Sequence, residues 1–299
     1  MGKIAFVYSG QGDQFPGMGK TLAERYPEAA EVFARCDRIR PGTSAQCFQG
    51  TEEELRETRN TQPCLYALEM AITAVLRGRG LSPKGAAGFS LGEVTAAAAA
   101  GIFDQETGFR LVCRRGELMQ EAAETVDTAM AAVLKLTPDA VETVCRDFPG
   151  MYPVNYNCPG QLSVSGRADQ MSAFGAAVKA AGGRMIPLKV RAAFHSPYME
   201  QAAEAFRLEL EGTAVRGGEI PLYSNLTARP YTADAAELLS RQIASPVRWE
   251  ELIRQMIADG FDTFWEIGPG ETLTNMIRRI DSAVNARSVR EVLPEAGPC

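Results

Sequence analysis

The segment Gly-Ala-Ala-Gly-Phe-Ser-Leu-Gly at residues 85–92 constrains the fold of this chain more than any other. Residues 85–89 are too small and apolar to be anything but a buried strand, and the alanine-rich residues up to Ala100 predict a helix. Residues 88–92 match the nucleophile-elbow pattern G-x-S-x-G, in which a strand turns sharply into a helix and leaves the serine exposed. The segment therefore predicts an α/β fold with Ser90 at the turn.

The elbow pattern alone is weak evidence, because five-residue matches arise by chance and a glycine-rich turn needs no chemistry. The predicted strand before Ser90 and the predicted helix after it supply the context that the pattern requires. In that context the N–H of Leu91, first in the helix, points where an oxyanion hole needs a donor. Ser90 is therefore a candidate nucleophile.

A second constraint comes from the order of elements in the middle of the chain. Periodicity and turn residues predict a strand over 129–136, a helix over 138–147, strands over 153–156 and 162–166, a helix over 168–181 and a strand over 184–190. This β-α-β-β-α-β order is that of a ferredoxin-like unit. We expect a ferredoxin-like subdomain at residues 127–193, inserted into a larger α/β domain formed by residues 1–126 and 194–299.

Further elements are predicted on both sides of that insertion. A helix is expected over 61–76, with Asn60 or Thr61 as its N-cap and Pro63 in its first turn. Another begins at Asp104, a suitable cap, and runs past Met119. The remaining predictions are strands over 3–8, 220–223 and 263–267 and helices over 197–210, 233–242, 247–258 and 273–279.

Among the 299 residues there is a single histidine, His195. Zinc sites built from several histidines, two-histidine iron sites and histidine relays need more imidazoles, so we expect no metal site of these kinds. Any imidazole that serves as a base for Ser90 must be His195. Their distance in sequence is no obstacle, because a nucleophile and its base meet in space. The ordinary alternative is a structural histidine before a helix.

The chain carries 31 Lys and Arg against 37 Asp and Glu, and its net charge of −6 argues against a nucleic-acid-binding surface. Its seven cysteines show no C-x-x-C spacing and are expected to be reduced. The first residues lack the apolar region of a signal peptide, and no apolar run is as long as a membrane span. We expect a cytoplasmic protein that binds neither membranes nor nucleic acid.

Short motifs are spread along nearly the whole chain. They are SGQGDQ at 9–14, TQP at 61–63, GFSLGE at 88–93, Arg115-Gly116 with Met119-Gln120, PVN at 153–155, FHS at 194–196, PVRW at 246–249 and EIGPG at 266–270. In this order they resemble the malonyl-CoA:acyl carrier protein transacylases of fatty acid synthesis and the related acyltransferase domains of polyketide synthases. That family has an α/β-hydrolase-like large domain with an inserted ferredoxin-like small subdomain, which agrees with the elements predicted above.

The resemblance implies a Ser-His dyad in which Ser90 is the acylated nucleophile and His195 is its base. In the family the imidazole is oriented by a backbone carbonyl, here near Gln242, instead of a carboxylate. The backbone N–H groups of Gln11 and Leu91 are implied to form the oxyanion hole.

The resemblance also implies that Arg115 binds the free carboxylate of a malonyl group. A planar guanidinium holds a carboxylate through two parallel charge-assisted bonds, a geometry that lysine does not reproduce. From the sequence alone, a solvated helix arginine like its neighbour Arg114 is the ordinary alternative. Gln62 and Asn155 match positions near the substrate pocket of the family, where a structural role is equally compatible with the sequence.

One residue departs from the pattern of the family, which commonly has histidine before the nucleophile where this chain has Phe89. Because that histidine is not the base, the dyad is retained, and we expect a more apolar pocket. The segment Ala193-Phe194-His195 resembles the form associated with malonyl instead of methylmalonyl selection.

The implied activity is transfer of malonyl from malonyl-CoA to the phosphopantetheine thiol of acyl carrier protein through a malonyl-serine, in support of fatty acid biosynthesis and without a bound cofactor. A free-standing acyltransferase of a polyketide synthase has the same motifs. A serine hydrolase or thioesterase shares Ser90 and His195 but has no use for Arg115, and a non-catalytic binding module needs none of the three. Basic residues that could form a docking face for the acidic carrier protein are Lys179, Lys189, Arg191, Arg278 and Arg279.

Overall fold

The computed structural model describes residues 2–232 and 234–294. Its strands are β1 (Ile4–Tyr8), β2 (Gly85–Gly88), β3 (Thr128–Leu134), β4 (Met151–Cys158), β5 (Gln161–Arg167), β6 (Arg184–Pro187), β7 (Leu222–Tyr223), β8 (Thr263–Ile267) and β9 (Asn285–Ser288).

The helices begin with α1 (Lys20–Arg25), α2 (Pro27–Ile39), α3 (Thr43–Gln49), α4 (Thr58–Gly78), α5 (Leu91–Ala99) and α6 (Gln105–Thr125). They continue with α7 (Pro138–Arg146), α8 (Met171–Ala180), α9 (Glu200–Glu211), α10 (Ala235–Gln242), α11 (Trp249–Ala258), α12 (Thr272–Ile280) and α13 (Val289–Val292). Short 3₁₀ helices cover Glu54–Arg56, Ala168–Gln170 and Pro197–Met199.

The first sheet is parallel, in the order β7-β2-β1-β8-β9. Successive side chains of a strand point to opposite faces, and β1 is buried on both. Phe6 and Tyr8 belong to a core shared with α4, α5 and α6, whereas Ala5 and Val7 pack with α11 and α12. The α/β fold predicted from the sequence is confirmed, and β1 and β2 lie side by side at the centre of the sheet.

The second sheet is antiparallel, in the order β4-β5-β3-β6. Apolar residues of α7 and α8, among them Val141 and Phe174, pack with this sheet in a separate core. Strand β4 also contacts the segment before α11, because the N–H of Val247 donates to the Val154 carbonyl and the N–H of Tyr156 donates to the Val247 carbonyl. The two sheets are therefore joined by hydrogen bonds next to Asn155.

The boundaries of several elements differ from the predicted ones. Helix α4 begins at Thr58, so the prediction of a cap at residue 60 or 61 and of Pro63 in the first turn is wrong. The N–H of Thr58 donates to the Gln120 side chain on α6, a tertiary contact that local sequence does not reveal. Strand β6 ends at Pro187, three residues before the predicted end, and proline has no N–H to extend a ladder.

Other differences concern elements with little signal in the sequence. Helices α1, α2, α3 and α13 and strand β9 are absent from the predicted set. The helix predicted over 233–242 spans Ala235–Gln242, with residue 233 outside the described ones. Six cysteines are described and all are free, and Cys299 lies outside the described residues. Within residues 2–232 and 234–294, no helix is both long and apolar enough to cross a membrane.

Candidate active site

Ser90 lies in the sharp turn between β2 and α5. Its φ of 55° and ψ of −108° are uncommon for a residue with a side chain and are typical of a strained nucleophile elbow. A Cβ on Gly88 would overlap the backbone of Gly92, and a Cβ on Gly92 would overlap the carbonyl oxygen of Tyr8 on β1. Both glycines are therefore required by close backbone approach, which explains the pattern found in the sequence.

The imidazole of His195 lies beside this serine. Its Nε2 is 2.7 Å from Ser90 Oγ, and its Nδ1 is 2.9 Å from the carbonyl oxygen of Gln242. A carbonyl oxygen only accepts, so Nδ1 carries the hydrogen and Nε2 accepts from the serine hydroxyl. Burial, and then the positive charge of Arg115, lower the pKa of His195 to about 4. The imidazole is therefore neutral and able to take a proton at neutral pH.

Arg115 projects from α6 into the same site and is completely buried. Its Nη1 donates to Gln62 Oε1 at 2.9 Å, and its Nη2 donates to Gln242 Oε1 at 2.8 Å. The same Nη2 is 3.4 Å from Ser90 Oγ. Its Nε has no hydrogen-bond partner among the described residues. Burial lowers the pKa of Arg115 to about 10, so the guanidinium still carries its charge at neutral pH.

The neighbouring arginine behaves differently. The side chain of Arg114 is 40% exposed and forms ion pairs with Glu117 and Glu209 on the protein surface. Arg115 is therefore the buried arginine of the site, and Arg114 is an ordinary surface arginine. The sequence alone left open which of these descriptions fits Arg115.

A buried carboxyl group, that of Glu93 on α5, is linked to Arg115 through the Gln242 side chain. Its Oε2 accepts from Gln242 Nε2 at 2.8 Å, and its Oε1 accepts from the Tyr231 hydroxyl and the Asn225 N–H. Burial raises the pKa of Glu93 to about 7, against the opposing effect of these bonds and of Arg115. Gln242 thus holds His195 with its backbone and bridges Arg115 to Glu93 with its side chain.

Asn225 is a site residue that the sequence motifs do not identify. Its Oδ1 accepts from the Ser90 N–H at 2.8 Å, and its Nδ2 donates to the Gly88 carbonyl at 2.6 Å. One side chain therefore hydrogen-bonds the backbone of the elbow at two residues. The available signal is its position two residues after β7, since polar residues at the carboxyl ends of parallel strands meet at one edge of the sheet.

The N–H groups of Gln11 and Leu91 belong to the segments that follow β1 and β2, which are neighbours in the sheet. Neither N–H donates to an acceptor within the described part of the chain. Both therefore stay available to a ligand at the carboxyl end of the sheet.

Two cavities share Gln11 and Leu188 as lining residues. One, of about 230 Å³, is lined by Phe89 and Asn155, whose Oδ1 is buried without a partner among the described residues. Phe89 packs edge-on against Trp249, with 5.5 Å between the ring centroids. We call this space the inner cavity.

The other cavity, of about 420 Å³, is lined by Phe194 and by two of the predicted docking residues, Lys189 and Arg191. The remaining candidates lie elsewhere. Arg278 bonds to the Ala286 carbonyl and to Glu291, Arg279 bonds to Gln161 and to the Pro159 carbonyl, and Lys179 lies in the last turn of α8.

The structure thus brings Ser90, His195, Arg115, Gln62 and Gln242 into one hydrogen-bonded group. Asn155 lies apart from this group, in the lining of the inner cavity, together with Gln11.

Comparison with known proteins identifies the class of protein. Residues 5–297 match the model of the acyl transferase domain family. A Bacillus subtilis protein named malonyl CoA-acyl carrier protein transacylase is 37% identical over 97% of this chain and 94% of its own length. The crystal structure of a protein of that name from Clostridium perfringens superposes with a TM-score of 0.93 and 33% identity, over 98% of this chain and 96% of the other.

A further similar structure is a malonyl-transacylase in complex with the acyl carrier protein of a type II polyketide synthase, with a TM-score of 0.92 and 34% identity over 96% of this chain and 95% of that one. The chain belongs to the malonyl CoA-acyl carrier protein transacylase family.

Proposed function

We propose that this enzyme transfers the malonyl group of malonyl-CoA to the phosphopantetheine thiol of acyl carrier protein, through a malonyl ester on Ser90. The observation that carries the proposal is the convergence on Ser90 Oγ of a neutral imidazole at 2.7 Å and a buried guanidinium at 3.4 Å. The first activates a hydroxyl, and the second suits a substrate that bears a carboxylate.

In the first half-reaction, Ser90 Oγ attacks the thioester carbonyl carbon while its proton passes to His195 Nε2. The negative charge that develops on the carbonyl oxygen is stabilised by the N–H groups of Gln11 and Leu91. The carbon–sulfur bond then breaks, and the proton on His195 passes to the departing CoA thiolate. The products are CoA and malonyl-Ser90.

In the second half-reaction, the carrier-protein thiol attacks the ester carbonyl and gives its proton to His195. The carbon–oxygen bond breaks, and the proton returns to Ser90 Oγ. The histidine needs no carboxylate partner for this, because the Gln242 carbonyl already fixes the tautomer that leaves Nε2 free to accept.

Arg115 is proposed to bind the malonyl carboxylate, with Gln62 beside it on α4. The Arg115 guanidinium faces Ser90 Oγ at 3.4 Å and also donates to Gln242, whose amide in turn donates to Glu93. An incoming carboxylate would therefore find a cation that is already desolvated and fixed in orientation, which lowers the cost of binding.

The inner cavity, lined by Phe89 and Asn155, is proposed to hold part of the thioester substrate next to the nucleophile. Among the described residues, Phe89 is its one aromatic lining residue, and side chains such as Asn155, Asn157 and Ser163 give the cavity polar groups as well. The unpartnered Oδ1 of Asn155 supports a contact with a polar donor of the ligand.

For the architecture, we propose an α/β-hydrolase-like domain of residues 1–126 and 194–299 with a ferredoxin-like subdomain of residues 127–193. The antiparallel sheet, its β-α-β-β-α-β chain order and its separate core support this division. A cytoplasmic location and supply of fatty acid biosynthesis follow from the same proposal. Because one similar structure holds a polyketide carrier protein, polyketide supply is the second candidate.

The activity is tested by mixing the enzyme with malonyl-CoA in the presence and absence of a carrier protein that bears phosphopantetheine. The proposal predicts malonyl-carrier protein as the main product and little free malonate. Equal release of malonate with and without the carrier would favour a thioesterase instead. Carrier proteins of fatty acid and polyketide systems, compared at equal concentration, separate the two candidate pathways.

A further inference from the structure

A second buried carboxyl group, Glu69 on α4, lies outside the group of residues used by the proposed reaction. It is completely buried, as are Ser9 and Thr95, its hydrogen-bond partners. Glu69 Oε1 is 2.9 Å from Ser9 Oγ, and Glu69 Oε2 is 2.6 Å from Thr95 Oγ1. No ion pair to Glu69 occurs among the described residues. Burial of a carboxyl group costs free energy unless it is hydrogen-bonded, so the bonds to Ser9 and Thr95 are what make Glu69 tolerable at this position.

The two partners of Glu69 belong to the two segments that carry the proposed oxyanion donors. Ser9 directly follows β1 and lies two residues before Gln11. Thr95 lies on α5, one helical turn after Leu91, on the same side of the helix. Glu69 is therefore the one side chain, among the described residues, whose carboxyl group hydrogen-bonds both segments.

We propose that Glu69 is a positioning residue for the oxyanion hole, whose carboxyl group links the Ser9–Gln11 loop to α5 and so fixes the spacing between the Gln11 and Leu91 N–H groups. This inference rests on the proposed acyl transfer, because the link matters only where an oxyanion forms. It adds a residue for which the motifs of the sequence provided no role.

In the observed geometry the Ser9 hydroxyl donates to Glu69 Oε1 and the Thr95 hydroxyl donates to Oε2. Both contacts are kept when Glu69 is neutral, because a proton on Oε1 turns the Ser9 hydroxyl toward the Ile267 carbonyl, which is 3.4 Å from Ser9 Oγ. Burial raises the pKa of Glu69 well above its ordinary value, and the acidic neighbour Glu266 acts in the same direction. A neutral acid is close in shape and bonding to glutamine, which offers a conservative variant.

The test measures the single-turnover rate constant for malonylation of Ser90 and the malonyl-CoA concentration that half-saturates it. Glu69→Leu removes both bonds and should slow malonylation by about tenfold or more, with little change in half-saturation, because a displaced donor weakens only the transition state. Glu69→Gln, whose amide can donate to Ser9 and accept from Thr95, should stay within about threefold of the wild type. A Gln variant as slow as the Leu variant would overturn the proposal.

A second experiment measures the same malonylation rate in variants of Ser9 and Thr95, so it does not depend on how well Glu69→Leu folds. Ser9→Ala and Thr95→Val each break the link, so the double variant should be no slower than the slower single variant. Losses that multiply would show that the two hydroxyls act independently and would overturn the proposal. Thr73→Val is the matched control, since it removes a buried hydroxyl from α4 that bonds Tyr8 and leaves the Glu69 carboxyl untouched. It should malonylate Ser90 at close to the wild-type rate.

A pH series separates a neutral Glu69 from an ionised one. In the unfolded chain a glutamate ionises above about pH 4.3, so a Glu69 that stays protonated when folded makes unfolding easier as pH rises. Glu69→Gln should therefore gain stability over the wild type as pH rises above about 5, and a constant difference would contradict neutrality. The ionisable groups that interact with Glu69 are Tyr8, Tyr66 and Glu266, and Arg77 interacts with Tyr8. All four are present in both the wild type and the variant.

Failure of the underlying activity would look different. Wild-type enzyme that forms no malonyl-Ser90 contradicts the proposed function, whereas normal malonylation in all variants contradicts only the role of Glu69.

Discussion

Replacement of Arg115 by alanine should abolish the preference for malonyl over acetyl that the proposed role of Arg115 predicts. Arg115 is completely buried, and its Nη2 already lies 3.4 Å from Ser90 Oγ. Without the guanidinium, the malonyl carboxylate enters a desolvated site with no cation. Leaving one member of a buried ion pair alone costs about 3–5 kcal/mol, which corresponds to a loss of roughly 10²- to 5 × 10³-fold in kcat/KM.

Acetyl-CoA has no such carboxylate and should lose about tenfold or less. That smaller loss arises because Arg115 also donates to Gln242, whose backbone orients His195. Arg115→Lys should fall between the wild type and the alanine variant for malonyl, since lysine keeps the charge without the paired geometry.

The assay compares kcat/KM for acylation of the enzyme by malonyl-CoA and by acetyl-CoA, followed by intact mass after rapid quenching. The matched control is Arg114→Ala, one residue away on the exposed side of α6, which should leave both values within about twofold because surface ion pairs contribute little. Equal losses for the two substrates in Arg115→Ala would refute the assigned role.

Further predictions concern the base and the elbow. Because the chain has one histidine, His195→Ala should malonylate Ser90 at least about 10³-fold more slowly, and near-normal rates would exclude His195 as the base. With a pKa of about 4, His195 accepts protons throughout the neutral range, so the wild-type acylation rate should fall only as pH approaches 4; a midpoint near the ordinary histidine value of about 6.5 would contradict the burial argument. Gly92→Ala should lose about 2–3 kcal/mol of stability by overlap with the Tyr8 carbonyl, whereas Gly217→Ala, whose added methyl meets nothing, should denature like the wild type.

The elbow is predictable from sequence because its physical requirement is local. Gly88 and Gly92 lie within four residues of each other, and each is needed where two backbones approach closely. The single histidine is equally informative, since a chain with one imidazole offers one candidate base of that type. The roles proposed for Ser90 and His195 are tested by the variants described above.

Other parts of the site depend on contacts between distant segments. Asn225 accepts a hydrogen bond from the Ser90 N–H, 135 positions away in the sequence, and Gln242 donates one to Glu93, 149 positions away. No periodicity or short motif encodes such pairs, because they exist only once the parallel sheet has placed the ends of its strands together. Glu69 is a similar case, since on sequence grounds it is an ordinary polar residue of a helix.

The predicted start of α4 is wrong for the same reason. Local signals favour a cap near Thr61, yet the contact between the Thr58 N–H and Gln120 extends the helix by a turn. Tertiary hydrogen bonds thus override local capping preferences where a helix end lies against another helix.

The central claim, a covalent malonyl enzyme formed at Ser90, is tested most directly by mass spectrometry of the protein mixed with malonyl-CoA alone. We expect the intact mass to increase by one malonyl group, the peptide that contains Ser90 to carry it, and the adduct to disappear on addition of carrier protein with its phosphopantetheine thiol. Ser90→Ala should show no adduct. A wild-type protein that gains no malonyl group, or an adduct that persists in Ser90→Ala, would contradict the mechanism.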